Sequence, residues 1–467
     1  MNAVVTQEER RAVDSRVVLG IVAVAVLLSS LDLFIVNVAL PRIAEDFSGA
    51  RISGLSWVLN AYAIVYAALL VPAGRLGDRN GHKTTFLTGL GVFVLGSALC
   101  AVAPNTGALV AFRVVQAAGA ALLTPSSLGL LLAATPAERR ATAVRLWVAF
   151  GGLGAALGPV LGGLLVELHW RWVFLVNVPL GIIALVVGLR LLPRPAGTGG
   201  PLPDGVGALS LIASVGSLIL AVVKGQDWGW GSAGVLGAIA ATLVFAAVFV
   251  ISSRRHHSPV VDPGLLRVPN FTVVLANSLL FNFAFAGMLL SAVLWMQNVW
   301  GWSALKTGLG IAPGPLVVPV VAIAAGPFIA RVGVGRVLAL GGLAFAAGTV
   351  WWAQAVALHA NYASGLLAGM LLTGLGVGLT LPTGTAAGTS GLPPQQFATG
   401  SAVLTMARQL GMAVGVAVLV AVLGSPLDGP ATLDAFRHGW YVIAAASVAA
   451  GALGLVVRMP KPATTTG

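Results

Sequence analysis

Runs of about 20 apolar residues, the length that crosses a bilayer as a helix, recur from one end of this chain to the other. They fall at roughly 17–40, 55–74, 84–103, 107–134, 142–167, 172–192, 206–223, 233–252, 271–295, 305–329, 337–357, 363–386, 400–423 and 439–457, separated by short polar or Gly/Pro-rich connections. Of the 467 residues 58% are hydrophobic and 9% charged, against about 25% charged in soluble domains. So little charge cannot cover a surface in water, and lipid must do the covering. Backbone in lipid has to satisfy its own hydrogen bonds, which leaves helices as the way across. The expected fold is an all-α integral membrane protein of about fourteen transmembrane helices. The 60 glycines and 25 prolines sit largely inside the apolar runs. There glycine lets backbones approach, and neighbouring helices re-satisfy the carbonyl that proline frees.

An even number of spans puts both ends of the chain on one side, and arginine and lysine choose which. Eighteen of the 26 fall in one set of connections and six in the other, with Arg113 and Arg408 inside spans. Both termini are therefore expected in the cytoplasm. Trp57, Trp170, Trp172, Trp228, Trp230, Trp295, Trp300, Trp302 and Trp440 lie near span ends on the opposite, outer face, where an indole buries its ring and keeps its N–H wet. The net charge of +12 reads as the same positive-inside excess, not as a nucleic-acid surface. Residues 1–16 mix acids and bases and lead into a full-length span, unlike a cleaved signal peptide. Cys100 is the single cysteine, which excludes an intrachain disulfide or a cysteine metal cluster. The excess of Arg over Lys, with much Ala, Gly and Val, suggests a GC-rich bacterial gene and hence the inner membrane.

The connection after the second span reads Gly74-Arg75-Leu76-Gly77-Asp78-Arg79-Asn80-Gly81-His82-Lys83. It predicts a tight turn in which glycine supplies left-handed backbone, Asp78 caps the following helix, and the bases face anionic lipid. A weaker echo runs from Gly326 to Arg336, with Ala330 standing where Asp78 stands. The first span contains Leu31-Asp32-Leu33-Phe34-Ile35-Val36-Asn37-Val38-Ala39-Leu40-Pro41, the fourth contains Arg113, Gln116 and Gly119, and the fifth contains Gly154, Gly158, Pro159, Gly162 and Gly163. The stretches Gly301–Gly308 and Arg408-Gln409-Leu410-Gly411 complete the set. In this order, over nearly the whole chain, these segments resemble the fourteen-helix drug:proton antiporters of the major facilitator superfamily. One departure is Phe34, where the family often has Thr.

The resemblance implies two six-helix bundles, residues 1–192 and 253–467, with two helices inserted at 193–252. It implies export of a small lipophilic drug or antibiotic in exchange for protons by alternating access. The energy source would be the proton gradient with no cofactor, and the working unit a monomer in the bilayer. An importer of a small nutrient on the same fold is the alternative, and the span-five motif, associated with export, argues against it. No Gly-x-x-x-x-Gly-Lys-[Ser/Thr] loop is present. All six histidines lie at or beyond span ends, so no His/Glu metal spacing occurs within a span. No filter-like repeat of a channel is visible either.

Asp32 is the only acid well inside a span. A carboxylate there faces a cavity, finds a partner or stays protonated, and one balanced between burial and a cation can load and release a proton. Arg113 is the expected partner. Asp32 lies roughly 12 Å and Arg113 roughly 9 Å below the outer ends of their spans, so their depths match. Glycines 154, 158 and 162, four apart, form one smooth face of a helix that Pro159 lets bend. That face is expected to pack against a helix of the other half as a rocking contact. Asp78, Arg79, Glu138, Arg139 and Arg140 form a cytoplasmic charge set which, by the resemblance, latches the inner gate. Arg408 has two readings, contact with an anionic substrate group or with a carbonyl at a helix end. Candidate cavity residues are Asn37, Tyr62, Tyr66, Gln116, Asn277, Asn282 and Phe285, around a neutral or singly charged lipophile.

Overall fold

In the computed structural model the chain is helical almost throughout. Residues 15–47, 52–193, 199, 204–262, 264–424 and 429–457 are described. The helices in order are α1 (Ser15–Asp46), α2 (Ile52–Asn80), α3 (His82–Ala101), α4 (Thr106–Ala134), α5 (Ala137–Leu168), α6 (Trp172–Leu175), α7 (Asn177–Leu191) and α8 (Gly205–Trp228). They continue as α9 (Ala233–Arg255), α10 (Pro269–Leu294), α11 (Ala304–Ile311), α12 (Pro313–Val332), α13 (Val334–Ala355), α14 (Leu367–Ser390), α15 (Phe397–Leu423) and α16 (Pro430–Gly454). Residues 1–14 and the charges Arg51, Arg194, Arg458 and Lys461 lie outside the described residues, as do the side chains of Asn37 and Pro159.

Among the described residues twelve helices are long and apolar enough to cross a membrane, or thirteen if the arms of α5, bent by 42° about residues 156–159, count as one span. The remaining run of the sequence reading is α16, 25 residues long, whose first turns carry Asp434, Arg437 and His438. Two expected spans are broken helices. The run 172–192 divides into α6 and α7 at Val176, and the run 305–329 divides into α11 and α12 at Ala312, ahead of Pro313. Proline at the first position of a helix is tolerated because its missing N–H would be unpaired there anyway.

Helix pairing in the first part of the chain is repeated in the last. The packed pairs α1–α5, α3–α4, α2–α4, α3–α7, α1–α7 and α1–α4 are matched by α10–α15, α13–α14, α12–α14, α13–α16, α10–α16 and α10–α14. The match extends to single residues. Gly81 and Gly333 make the one-residue turns before α3 and α13 at φ 93° and φ 91°, left-handed backbone that glycine adopts without a clash. Helices α8 and α9 pair with each other, and α8 lies against α2 and α15. Val18 of α1 and Val457 after α16 belong to the same buried cluster as Leu87 and Phe397, so the two described chain ends share one end of the bundle.

Small residues set the closest approaches. A Cβ on Gly89 of α3 would come 2.6 Å from the Leu123 backbone nitrogen of α4 and 2.9 Å from the Gly119 carbonyl oxygen. With no hydrophobic driving force between them, helices in lipid associate through contacts of this kind. The tryptophans divide. Trp172, Trp228 and Trp230 are exposed, as an interfacial belt requires. Trp170, Trp295 and Trp440 are buried, and the last two pack edge to face with centroids 5.6 Å apart, so they are core residues near a span end and not headgroup anchors.

Gly89→Val is expected to destabilise the α3–α4 pair by about 1–3 kcal/mol through overpacking. Gly91→Val, where a Cβ meets nothing within 4 Å, should be neutral. Thermal unfolding midpoints of the two purified variants in detergent check the contrast.

Candidate functional site

A carboxylate inside an apolar bundle needs donors, and Asp32 finds them on α4 and α7. Asp32 of α1 and Arg113 of α4 are completely buried and paired, with Arg113 Nη1 2.5 Å from Asp32 Oδ2. The other carboxylate oxygen, Oδ1, accepts from Gln116 Nε2 at 2.9 Å and from Asn177 Nδ2 at 3.1 Å. Arg113 Nη1 also donates to Gln116 Oε1 at 2.7 Å, and its Nε donates to the Val58 carbonyl of α2 at 3.2 Å. Ser97 Oγ of α3 accepts from Gln116 and Asn177 and donates to the Phe174 carbonyl. The Tyr62 ring lies over the guanidinium, 4.0 Å from its centroid to Cζ. Nearly every polar atom is thus satisfied in a dry site, and removing one partner of such a pair costs about 3–5 kcal/mol. The exception is Asn177 Oδ1, which is buried without a donor.

Two members of this network, Ser97 and Asn177, do not figure among the expected site residues. Asn177 carried the same signal as Asp32, an amide in an otherwise apolar run. The helix break at Val176 sets Asn177 as the first residue of α7. Ser97 carried no signal, since a small hydroxyl in a span bonds its own backbone as readily as a neighbour. Gln116 and Tyr62 are ligands of the charge pair in this structure, not the lining of an open space. Tyr66 stacks on Tyr62 with centroids 5.9 Å apart, and its hydroxyl donates to Thr124 Oγ1 at 3.2 Å. Asn277 donates to the Ala450 carbonyl and ties α10 to α16, Asn282 donates to the Ser278 carbonyl of its own helix, and Phe285 packs into the α10–α16 core.

The loop after α2 differs from expectation in its partners. Asp78 does not cap α3. It lies in the last turn of α2, and Gly81 starts α3 with no side-chain cap. Its carboxylate instead accepts from the backbone nitrogens of Ala398 and Thr399 at 3.0 and 2.8 Å, and from Thr399 Oγ1 at 2.5 Å. Asp78 therefore caps the start of α15, where orphan N–H groups and the helix dipole favour a negative charge. Gly74 makes room for this contact: a Cβ there would be 2.7 Å from the Ala398 carbonyl oxygen.

The bases bind protein, not lipid. Lys83 is buried and donates to the Leu189 and Leu192 carbonyls at the end of α7, and Arg75 donates to Ser258 Oγ. Arg140 donates to the Leu132 and Thr135 carbonyls at the end of α4, and Arg79 bonds to Asn80. Glu138 is exposed in the first turn of α5. Within the expected charge set, Asp78 and Arg140 cap helix ends, where freed carbonyls and N–H groups call for partners.

The glycine face of α5 meets α1 of its own bundle, not a helix of the opposite one. A Cβ on Gly154 would lie 2.5 Å from the Leu27 carbonyl oxygen, on Gly158 2.8 Å from Phe34 Cβ, and on Gly162 3.1 Å from the Ile35 carbonyl oxygen. On another face of α5, Gly163 meets Leu305 of α11 at 3.0 Å and Gly152 meets Val318 of α12 at 3.4 Å. The stripe fixes the helix that carries Asp32, and Gly158 abuts the turn that contains it.

Gly158→Leu is expected to insert in the membrane normally yet lose nearly all transport, because the added side chain must displace α1 by more than an ångström. Immunoblot of membranes beside an efflux assay checks both halves. For the Asp78 cap, a Ser126→Cys reporter beside Gly77 should label slowly with a maleimide, Cys100 being buried. Adding Asp78→Ala should raise the labelling rate about tenfold or more, the worth of charge-assisted bonds of about 1.5–3 kcal/mol.

Comparison with known proteins agrees with this architecture. The family profile described as Major Facilitator Superfamily matches residues 22–416. The multidrug resistance protein Stp of Mycobacterium tuberculosis is 34% identical over 389 residues, covering 82% of this chain and 71% of that protein. The methylenomycin A resistance protein of Streptomyces coelicolor is 33% identical over 418 residues, 87% of this chain and 85% of that one. The cephamycin export protein of Amycolatopsis lactamdurans is 35% identical over 408 residues, 86% and 84% of the two chains. Among solved structures, the human organic anion transporter MFSD10 has the same fold at a TM-score of 0.69 and 15% identity, over 94% of this chain and 99% of that one. A chain of membrane-crossing helices in two matching sets, with a buried charge pair in the first, matched by this profile over most of its length, belongs to the Major Facilitator Superfamily.

Proposed function

We propose that this protein exports a small lipophilic compound in exchange for protons, by alternating access, across a bacterial inner membrane. The observation that carries the reading is the Asp32 network: one membrane-buried carboxylate held by Arg113, Gln116 and Asn177. The relatives point the same way, since their names describe multidrug resistance, antibiotic resistance and export. Fourteen helices in bundles 1–192 and 253–467, with a pair inserted at 193–252, fit the repeated pairing and the separate α8–α9 hairpin. Both termini lie in the cytoplasm on the charge count, so the Asp78–α15 cap closes the cytoplasmic end. No group of three or more metal-ligating side chains occurs among the described residues, and the proton gradient supplies the energy.

The geometry suggests how the proton is exchanged. While Asp32 is ionised, Arg113 and two amides hold it and draw α1, α4 and α7 together. A proton arriving on Asp32 cancels the attraction to Arg113 and turns one carboxylate oxygen into a donor. Asn177 Oδ1, unpaired in this state, accepts from that O–H after a half-turn of the amide. Arg113 is then held by the Val58 carbonyl, Gln116 and the Tyr62 ring, and α1 is free to shift along the glycine face of α5. Substrate release and proton uptake are linked through the packing of one helix.

In energised inside-out vesicles that have acidified their interior, adding an exported compound should release luminal protons and relieve quenching of a pH dye. Asp32→Asn should abolish that signal while the protein still reaches the membrane. Undiminished proton release by Asp32→Asn would remove Asp32 from the coupling role.

A further inference from the structure

Helix α15 carries a second arginine within the membrane, and no carboxylate among the described residues meets it. Arg408 Nη2 donates to Thr385 Oγ1 of α14, and its Nε is buried without an acceptor. Among the described residues it forms no ion pair. Its helix also packs against α2 and α4 of the first set, where Tyr66 of α2 is held by Thr124 of α4. Arg408 is thus partly exposed, bonded to α14, on a helix that lies where the two sets meet.

A fixed cation at this depth costs several kcal/mol unless something answers its charge. Among the described residues, the buried acids Asp32 and Asp78 are committed elsewhere. Asp32 is bound to Arg113, and Asp78 is spent on the start of α15. An unanswered planar fork of N–H donors at the centre of a transporter suits an acidic group arriving from outside, which guanidinium binds through two parallel bonds.

We propose that Arg408, positioned by Thr385, binds an ionised acid on the cargo, so that the transported class is a lipophile bearing one carboxylate or comparable anionic group. This rests on the export reading above and narrows its substrate. It also has an energetic consequence. One anion leaving for each proton entering carries two charges, so the membrane potential drives the exchange twice as hard as that of a neutral compound.

The test is equilibrium binding to the purified full-length protein in lipid nanodiscs, with no gradient. The probes are fusidic acid, mycophenolic acid and naproxen, each beside its methyl ester. In the wild type at least one acid should bind about tenfold or more tightly than its ester, the scale of a lost charge-assisted bond. Arg408→Gln should abolish that preference and leave ester affinity unchanged, while Arg408→Lys should keep part of it. Thr385→Val, which retains the charge, should weaken the acid severalfold and spare the ester, and it gives a reading even if Arg408→Gln fails to fold. Equal affinity of every acid and its ester in the wild type would mean a water-filled site only and overturn the proposal. So would a preference that survives Arg408→Gln, or equal loss of acid and ester in Thr385→Val. Because binding is read without protons moving, failure of the antiport reading leaves this result interpretable.

Discussion

Burying one negative and one positive charge side by side in a bundle of apolar helices is the constraint around which the first six-helix set is arranged. Neither Asp32 nor Arg113 could stand alone at this depth, where an unpaired charge costs several kcal/mol. Their pairing fixes α1 against α4, and the remaining lone pairs of the carboxylate then call for further donors. Gln116 comes from the next turn of α4, and Asn177 comes only because the α6–α7 helix breaks beside it. Ser97 and the Val58 carbonyl bring in α3 and α2. A network of this kind stabilises little beyond what an apolar core would. It does tie the packing of α1 to a single carboxylate.

The two helix sets share pairing geometry but not chemistry. Gly154 and Gly158 of α5 pack on Leu27 and Leu31 of α1, and Gly411 and Gly415 of α15 pack in the same way on Leu279 and Phe283 of α10. In that correspondence Ala284 stands where Asp32 stands. Likewise, the contacts of Gly96 with Gln116 are matched by those of Gly348 with Thr373, which puts Met370 in the place of Arg113. The second set therefore has no charge pair of its own, and Arg408 on α15 is its one cation well inside a described span. The terminal loops differ in the same sense, with Asp78 capping α15 while the equivalent Ala330 can cap nothing. Close packing is symmetric and charge is not, as expected if the common scaffold moves and only one half senses protons.

Helix α15 connects the remaining features. Its start is held by Asp78 from the opposite set, and its middle carries Arg408, bonded to Thr385 of α14. A rigid helix transmits displacement along its axis, so Arg408 and the first turn held by Asp78 belong to one mechanical element.

Much of this was legible in residues alone. Hydropathy dictated a membrane-spanning helical protein because lipid admits little else, and the isolation of Asp32 and Arg113 at matching depths announced their pairing. The loop glycines announced left-handed turns, which Gly81 and Gly333 make. What the sequence could not reveal was direction. A stripe of glycines says that some backbone comes close, but the partner proved to be α1, because which neighbour faces a stripe depends on how the whole bundle is wound. A carboxylate at a helix end says that a cap forms, but Asp78 found α15, more than three hundred residues away, because in three dimensions those N–H groups were nearer than its own chain's next turn. Trp295 and Trp440 lay where a belt residue lies along the chain and yet faced inward. Periodicity and burial cost follow from each residue's own chemistry and are readable locally. Partnership across helices is a property of the packed bundle, and only the tertiary structure decided it.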